Sequence, residues 1–360
     1  MKAAVLNALG SPLAIETVPE PRLGTGEVVV DVIASRVLAY AGEVLTGARK
    51  YLMELPMVPG PGAIGRVRAT GPDVTRLRPG DWVYCDPTVR SRDNALSPDI
   101  ALQGLIAGSE GGLQLQRYFH DGAWAEQMRV PTENAIPIGA IDETDAARWC
   151  ALGTLLVPYG GFLAAGLQAG EIALVNGATG SFGSAAVAVA LGMGASCVVA
   201  TGRNEAPLAD LTRRFGGRVR TVAMHGVEAG DRARILEAAP GPIDCVLDIL
   251  PPAARSAQAR TAIMAVRPYG RVVLMGGVGM LGGSGLDLPY PWLMRNCINV
   301  RGQWMYPPHA ATLMAGMIRA GLVDLGQFEV TAFGLDRANE AVAHAAAHAG
   351  PFTMTVIQPR

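Results

Sequence analysis

Three glycines, Gly177, Gly180 and Gly183, stand three residues apart between an apolar run ending at Val175 and a helix-forming stretch rich in Ala and Val. Glycine permits tight turns and lets another group approach the backbone closely. The N-terminus of the helix that follows offers N–H groups that bind phosphate. A GxxGxxG turn inside a strand–helix–strand unit is therefore typical of a site for a dinucleotide pyrophosphate.

The residues expected to contact such a ligand lie in the turn and at the end of the next predicted strand. In chain order they are Asn176, Gly177, Thr179, Gly180, Ser181, Phe182, Gly183, Thr201, Gly202 and Arg203. The uncharged segment from Ile172 to Gly202 is also long enough for a membrane span. Because glycines and polar residues break it into short pieces, we expect no span.

The end of the second strand bears on which dinucleotide is bound. Enzymes that bind NAD hold the ribose hydroxyls with a carboxylate roughly 20 residues past the glycines, but no Asp or Glu stands between position 171 and Glu205. Arg203 is instead expected to bind the 2′-phosphate of NADP(H) through its planar guanidinium, with Thr201 beside it and Arg213 or Arg214 as outer charges. Two alternatives remain, in which Arg203 is a solvated surface residue or Glu205 supports NAD binding.

Composition narrows the class of protein. The 360 residues are 50% hydrophobic with a formal net charge of −1 and no long charged run. This balance disfavours a nucleic-acid surface or a basic membrane anchor and favours small-molecule partners. Five cysteines lie far apart and never in CxxC pairs, which disfavours a disulfide framework or zinc cluster. The N-terminal apolar run is too short for a signal peptide, so we expect a cytoplasmic protein.

The order of predicted elements indicates an α/β protein of two domains. Short apolar runs broken by Gly and Pro up to residue 138 predict a β-rich domain, although the segment Asp86–Asp121 shows no clear period. Helical patterns at Thr144–Leu155 and Tyr159–Ala169 precede alternating strands and helices, which predict a parallel sheet covered on both faces. We therefore expect one domain at 1–140, joined by the tail 325–360, and a nucleotide-binding domain at 141–324.

Several phrases along the chain resemble the medium-chain dehydrogenase/reductase superfamily, in particular its zinc-independent, quinone-oxidoreductase-like and alcohol dehydrogenase-like members. They are MKAAVL, LPMVPGPGAIGRV, LRPGDWVY, DGAWAEQMRVP, VNGATGSFGSAAVAVALGMGA and GRVVLMGG. The resemblance implies a GroES-like, β-rich catalytic domain and a Rossmann domain with a doubly wound parallel sheet. It also implies that Gly276 and Gly277 pass under the nicotinamide, and that the strands Gly270–Met275 and Cys297–Trp304 join sheets across a homodimer.

The zinc enzymes of this family place a Gly-His-Glu where the chain has Gly60-Pro61-Gly62. Their other two ligands register with Tyr40 and Gly153, so no set of three metal-binding side chains is in register. The segment Asp86–Asp121 contains no cysteine for a structural zinc. The expected protein is therefore zinc-independent, with no metal residues.

Without zinc, hydrogen-bond donors must polarise the acceptor, which suits an α,β-unsaturated carbonyl compound or a quinone better than an isolated ketone. Tyr40 and Tyr51 are the candidate catalytic residues, although either ring could simply fill a domain interface. The leading hypothesis is an NADPH-dependent reductase of enones or quinones. A zinc-free alcohol dehydrogenase or ketone reductase, and a non-catalytic NADPH-binding protein, remain alternatives.

Overall fold

The computed structural model describes residues 1–359 of the chain. Eighteen strands lie within these residues: β1 (Lys2–Val5), β2 (Ala14–Thr17), β3 (Glu27–Val37), β4 (Ala63–Thr70), β5 (Trp82–Cys85), β6 (Thr88–Arg90), β7 (Ile100–Leu102), β8 (Ile106–Ala107), β9 (Gln127–Pro131), β10 (Ala135–Pro137), β11 (Ile172–Asn176), β12 (Cys197–Gly202), β13 (Val219–Ala223), β14 (Ile243–Asp248), β15 (Val266–Leu274), β16 (Asn299–Gly302), β17 (Glu329–Gly334) and β18 (Thr353–Gln358).

The same residues form eleven α-helices: α1 (Ala41–Leu45), α2 (Glu110–Tyr118), α3 (Ala146–Trp149), α4 (Leu152–Ala165), α5 (Ser181–Gly192), α6 (Glu205–Phe215), α7 (Glu228–Ala238), α8 (Ser256–Ile263), α9 (Tyr290–Arg295), α10 (Ala310–Arg319) and α11 (Ala338–Ala347). Single 3₁₀ turns occupy Thr132–Asn134, Glu143–Asp145, Gly216–Arg218, Leu325–Gln327 and Leu335–Arg337.

The chain divides into two compact units. Unit 1 comprises Met1–Gly153, Leu325–Ala349 and the residues from Thr353 onward, and unit 2 comprises Thr154–Asp324 and Gly350–Phe352. The boundary therefore falls inside α4 and not at residue 140, where the sequence pattern placed it. The helical region itself differs from expectation, because α4 runs without a break through Pro158, which lies inside the helix.

Unit 1 is built around β3, whose run of valines suits a strand with both faces covered. β3 pairs with β4, β9 and the C-terminal strand β18, all antiparallel, in a seven-stranded sheet. Alternate residues of β3, namely Val28, Val30 and Val32, enter one buried core with Val67 of β4 and Val83 of β5, as the two-residue period of a strand requires.

The segment for which the sequence indicated no period forms a small lobe of unit 1. β6, β7 and β8 make a three-stranded antiparallel sheet, and α2 begins after Ser109, whose side chain accepts a hydrogen bond from the N–H of Gly112 at 3.0 Å. Short strands of two and three residues leave too few positions for an alternating pattern to be recognised.

Unit 2 contains a six-stranded sheet in which every pair is parallel, in the order β13-β12-β11-β14-β15-β16. This is the Rossmann order, and the direction of winding reverses between β11 and β14. The carboxyl ends of these two strands therefore flank the crevice where such folds bind ligands. The expectation of a doubly wound parallel sheet is confirmed.

All five cysteines are free thiols, four of them buried and Cys297 exposed. Among residues 1–359, every helix is too short or too polar to cross a bilayer. The cytoplasmic location expected from the sequence stays a prediction.

Candidate functional site

The glycine turn of unit 2 lies between β11 and α5, and each of its three glycines has a different surrounding. Gly177 has a φ of +96°, a left-handed conformation that glycine adopts without strain. A Cβ at Gly183 would lie 2.0 Å from the carbonyl oxygen of Gly177, so the first turn of α5 packs directly on the loop. A Cβ at Gly180 would meet only that same oxygen, at 4.0 Å, which leaves open space beside the backbone.

The N-terminus of α5 is available to an anion. Gly180 is its N-cap residue and no side chain caps the helix; Ser181 and Phe182 follow, both half-buried. An uncapped helix start combines unpaired N–H groups with the positive end of the helix dipole. Together with the open space at Gly180, this geometry suits a pyrophosphate.

Asn176 and Thr201 lie under the turn in a buried polar network. The Asn176 side-chain amide donates to Oδ1 of Asp248 at 2.6 Å and to the carbonyl oxygen of Gln258 at 3.3 Å, while its Oδ1 accepts from the Thr201 hydroxyl at 2.8 Å. Asn176 and Thr201 are 2% and 0% exposed. Their polar atoms thus join the ends of β11, β12 and β14, and direct contact with a cofactor stays a prediction for both.

Asp248 is the charged member of this network and was not singled out from the sequence. It ends β14 and is 3% exposed. Burial raises the pKa of its carboxyl to about 6, and the hydrogen bond from Asn176 opposes the rise. An aspartate that directly follows the apolar residues Cys245, Val246 and Leu247 was the available sequence signal.

Gly202 and Arg203 lie where β12 ends. A Cβ at Gly202 would lie 2.4 Å from a methyl carbon of Thr179, so only glycine fits against the turn there. Arg203 is exposed, and its guanidinium makes no hydrogen bond or ion pair with any described residue. The two arginines expected as outer charges, Arg213 and Arg214, differ from Arg203 because both form ion pairs with Asp210. Arg203 is thus the uncommitted cation at this strand end.

Gly276 and Gly277 follow β15 and pack against the loop that follows β14. A Cβ at Gly276 would meet the backbone of Leu250 at 2.6 Å, and one at Gly277 would meet the Pro252 ring at 2.6 Å. The Gly277 N–H donates to the Leu250 carbonyl oxygen at 2.8 Å. Close backbone packing alone accounts for both glycines, and their contact with a nicotinamide stays a prediction.

In unit 1 the Gly60-Pro61-Gly62 turn is fixed by its neighbours. Gly60 and Gly62 have φ of +110° and +80°, and a Cβ at Gly60 would lie 2.5 Å from Cδ1 of Trp124. Proline has no side-chain donor atom for a metal. The middle position of this turn therefore cannot supply a zinc ligand.

The other two positions in register with zinc ligands offer no better donors. Gly153 has no side chain, and a Cβ there would lie 3.1 Å from the hydroxyl of Tyr84. Tyr40 carries a phenol in place of a thiol. Within residues 1–359, no group of three or more His, Cys, Asp or Glu side chains is arranged to hold a metal ion. These residues do not fit a catalytic zinc.

Arg49 brings the two candidate tyrosines together. Its guanidinium carbon lies 3.8 Å from the ring centroid of Tyr40, and its Nη1 donates to the Tyr51 hydroxyl at 3.3 Å. The chain turns back at Gly47, whose φ is +79°, so that the Arg49 N–H donates to the Glu43 carbonyl oxygen at 3.1 Å. We call Tyr40, Glu43, Arg49 and Tyr51 the tyrosine–arginine cluster.

Tyr40 is held in its protonated form. Desolvation raises the pKa of its phenol to about 12, although the side chain as a whole is only half-buried. Tyr51 and Glu43 add to the rise, and Arg36 and Arg49 oppose it. A neutral phenol can donate a hydrogen bond to a developing oxyanion or give up a proton, but it is not a base near neutral pH.

An apolar cavity lies behind α1 in unit 1, with about 340 Å³ of empty space including its mouth. Its lining comprises Leu6, Leu38, Ala41, Val44, Leu45, Met53, Met57, Pro59, Gly60, Pro61, Gly104, Leu105 and Trp124. These side chains can hold hydrocarbon, and the indole N–H of Trp124, which is buried without a partner among the described residues, is the one side-chain donor in the lining. The tyrosine–arginine cluster offers further donors within unit 1.

Comparison with known proteins agrees with both units. Residues 24–140 match the family described as "Alcohol dehydrogenase GroES-like domain", which confirms the expected GroES-like character of unit 1. The chain is 28% identical over 210 residues to an alcohol dehydrogenase of Geobacillus stearothermophilus and 28% over 224 residues to an acryloyl-coenzyme A reductase of Metallosphaera sedula. These alignments cover 55% and 61% of the chain but only 57% and 63% of the relatives.

The fold as a whole matches solved structures. One is a zinc-binding dehydrogenase of Sinorhizobium meliloti 1021 bound to NADP, with a TM-score of 0.78, 21% identity and 99% of each chain covered. At that identity the likeness shows the fold alone, and the bound NADP belongs to that protein. Residues 24–140 thus belong to the alcohol dehydrogenase GroES-like domain family, and the chain is similar in sequence to alcohol dehydrogenases and acryloyl-coenzyme A reductases.

Proposed function

We propose that the protein is an NADPH-dependent, zinc-independent oxidoreductase that reduces α,β-unsaturated carbonyl compounds or quinones. The observation that carries the proposal is the end of β12, where the exposed and unpaired Arg203 stands in place of the carboxylate that binds ribose hydroxyls. A guanidinium there favours a 2′-phosphate by charge and by its planar array of donors.

Unit 2 is the proposed cofactor-binding unit. The N–H groups at the start of α5 would hold the pyrophosphate beside Gly180, and Arg203 would hold the 2′-phosphate. The network of Asn176, Thr201 and Asp248 fixes the strand ends beneath them. When bound, NADPH would supply a hydride that, with one proton given by Tyr40 or Tyr51 and replaced from solvent, converts a C=C bond of the acceptor to a C–C bond and leaves NADP⁺.

Unit 1 is the proposed acceptor-binding unit. Hydride addition to a conjugated carbon places negative charge on the carbonyl oxygen, and preorganised donors stabilise such charge. Tyr40, Tyr51 and Arg49 offer O–H and N–H donors in one cluster. An isolated ketone generally needs a stronger electrophile, and the residues at positions 40, 61 and 153 do not fit a zinc ion.

The experiment combines cofactor affinity with an acceptor panel. NADPH should bind wild-type protein at least about 10-fold more tightly than NADH, because charge-assisted hydrogen bonds contribute about 1.5–3 kcal/mol. Arg203→Ala should remove most of that preference. The control Arg76→Ala, which changes an exposed arginine of unit 1, should leave the preference intact. NADPH should be consumed with enones or quinones and not with saturated ketones.

Three results would count against the proposal. Equal affinity for the two cofactors would remove the role of Arg203. Turnover of saturated ketones or alcohols alone would favour a zinc-free alcohol dehydrogenase, and NADPH binding without turnover of any acceptor would favour a non-catalytic protein. Purified protein with about one zinc per chain would contradict the zinc-independent assignment.

A homodimer is the proposed assembly. β16 pairs with β15 on one side only within the described chain, and all four of its residues are exposed. Large exposed hydrophobic residues occur between positions 269 and 304, on both sides of β16 in the sequence: Tyr269 (72%), Met280 (67%), Leu281 (62%), Tyr290 (76%), Met294 (57%) and Trp304 (47%). An open strand edge with apolar neighbours favours pairing with another copy.

A further inference from the structure

The Arg49 guanidinium is held rigidly yet is only partly used. Its Nε donates to Oε2 of Glu43 at 2.8 Å and its Nη1 to the Tyr51 hydroxyl at 3.3 Å, and its plane rests on the Tyr40 ring. The side chain is 13% exposed. A guanidinium fixed on three sides loses little conformational freedom when it binds another group.

One terminal nitrogen of Arg49, Nη2, reaches the solvent-accessible surface. A guanidinium has five N–H groups, and two of those on Arg49 have partners among the described residues. None of its nitrogens belongs to the buried side-chain atoms that lack a partner. Nη2, which has no partner among the described residues, therefore presents free N–H groups to a molecule that approaches the cluster from solvent.

The charge around Arg49 favours an anion. Arg36 and Arg49 both act on the Tyr40 phenol as positive charges, and Glu43 acts on it as a negative charge. The acidic one, Glu43, is 54% exposed, so water screens its pairing with Arg49. Glu43 also demonstrates that a carboxylate fits against this guanidinium. A second carboxylate could accept a charge-assisted hydrogen bond from Nη2.

We propose that Arg49 recognises a carboxylate on the acceptor, so that the preferred substrate is an α,β-unsaturated carbonyl compound carrying a carboxylate. The inference rests on the proposed function, since it names the acceptor class for the tyrosine–arginine cluster. The carboxylate lies along the free edge of Arg49, and Tyr40 and Tyr51 remain available to the carbonyl oxygen.

The test uses a matched pair of acceptors, benzalacetone and its para-carboxylate, with NADPH-loaded protein. Arg49→Gln should raise the KM for the carboxylate acceptor about 10- to 100-fold, as loss of a charge-assisted hydrogen bond predicts. Any rise in the KM for benzalacetone, which lacks the carboxylate, should be at least about 10-fold smaller, so that the ratio of the two KM values changes. The KM of Arg49→Lys for the carboxylate acceptor should lie between those of wild type and Arg49→Gln, because lysine keeps the positive charge but lacks the planar guanidinium. Arg66→Gln is the control, since Arg66 also stacks on an aromatic ring of unit 1, that of Trp82, at 4.2 Å.

Calorimetric titration of the carboxylate acceptor into protein with NADP⁺ provides a readout that does not depend on turnover. Binding that Arg49→Gln weakens about 10-fold or more supports the inference even if no acceptor is reduced, and in that case only the proposed function fails. Equal losses for both acceptors would show that Arg49 merely supports the fold, and unchanged binding would remove its role; either result overturns the inference. Competition by inorganic phosphate as strong as by the carboxylate would overturn the choice of carboxylate.

Discussion

At the scale of single residues, the chemistry proposed for unit 1 depends on Tyr40 and Arg49 and not on a metal. Tyr40 was recognisable from its place in the sequence, and Tyr51 from its neighbourhood. Arg49 was not, because its position over the Tyr40 ring depends on the reversal of the chain at Gly47, and a single glycine in a sequence does not specify where the chain goes next. Arg49, which contacts both tyrosines, could therefore be recognised only in the structure.

Tyr40→Phe should lower kcat for an enone acceptor by about 10²-fold or more, since a positioned proton donor contributes roughly that factor. Because the pKa of Tyr40 is raised to about 12, its hydroxyl stays protonated and should add no downward limb to the rate profile between pH 6 and about 10. Steady-state kinetics of Tyr40→Phe beside Tyr51→Phe would check this. If Tyr51→Phe alone lowers kcat, the donor is Tyr51.

The buried carboxyl of Asp248 should make the free energy of unfolding depend on pH. Its pKa rises from 3.8 to about 6 on folding, so its stabilising contribution is complete below about pH 4 and is lost as the pH rises through 6. The loss corresponds to about 3 kcal/mol at neutral pH. Asp248→Asn keeps an oxygen that can accept from Asn176 and removes the charge.

Urea unfolding at pH 4.5 and pH 7.5 would measure the effect. Between pH 4.5 and pH 7.5, the free energy of unfolding of Asp248→Asn should rise relative to that of wild type by about 2 kcal/mol, because about 1 kcal/mol of the total is already lost at pH 4.5. Asp287→Asn, at an aspartate that is 86% exposed, should show no comparable change. If the free energy of unfolding changes equally with pH in Asp248→Asn and wild type, folding does not raise the pKa of this carboxyl.

At the scale of elements, the strands and helices of unit 2 were largely predictable, because parallel strands buried on both faces appear as short apolar runs. The run at Ile172–Val175 became β11 and that at Cys197–Ala200 became β12, each extended by one or two polar residues. Those extra residues, Asn176 and Thr201, take part in a network with Asp248 that joins strands far apart in sequence. Such a contact leaves no local pattern to recognise.

The glycine turn offers a matched pair of substitutions on one element. Gly183→Ala should lower the free energy of unfolding by more than about 2 kcal/mol, because its Cβ would lie 2.0 Å from the Gly177 carbonyl oxygen. Gly180→Ala should preserve stability, since its backbone is extended and its Cβ has open space, yet it should weaken NADPH binding. Thermal unfolding and cofactor titration separate the two effects. Unchanged NADPH affinity in Gly180→Ala would argue against a pyrophosphate at this position.

At the scale of the whole molecule, the sequence predicted an α/β protein with a β-rich part and a Rossmann part, and those fold assignments are confirmed. The boundary between the units could not be placed from the sequence, because α4 continues through Pro158 and the last residues assigned to unit 1 lie inside this helix. A proline normally favours a helix end, and here the expected break is absent.

The homodimer is the last prediction and concerns the open edge of the unit 2 sheet. Val300→Lys would place a charge at the centre of β16, and lysine on an edge strand opposes pairing with another edge. Wild-type protein should sediment at twice the 37.5 kDa mass of the chain, and Val300→Lys should sediment as a monomer. Val227→Lys, at a valine that is 64% exposed before α7, should remain a dimer. A monomeric wild-type protein, or a Val300→Lys dimer, would show that copies do not associate through this edge, and its exposed apolar neighbours would then need another explanation.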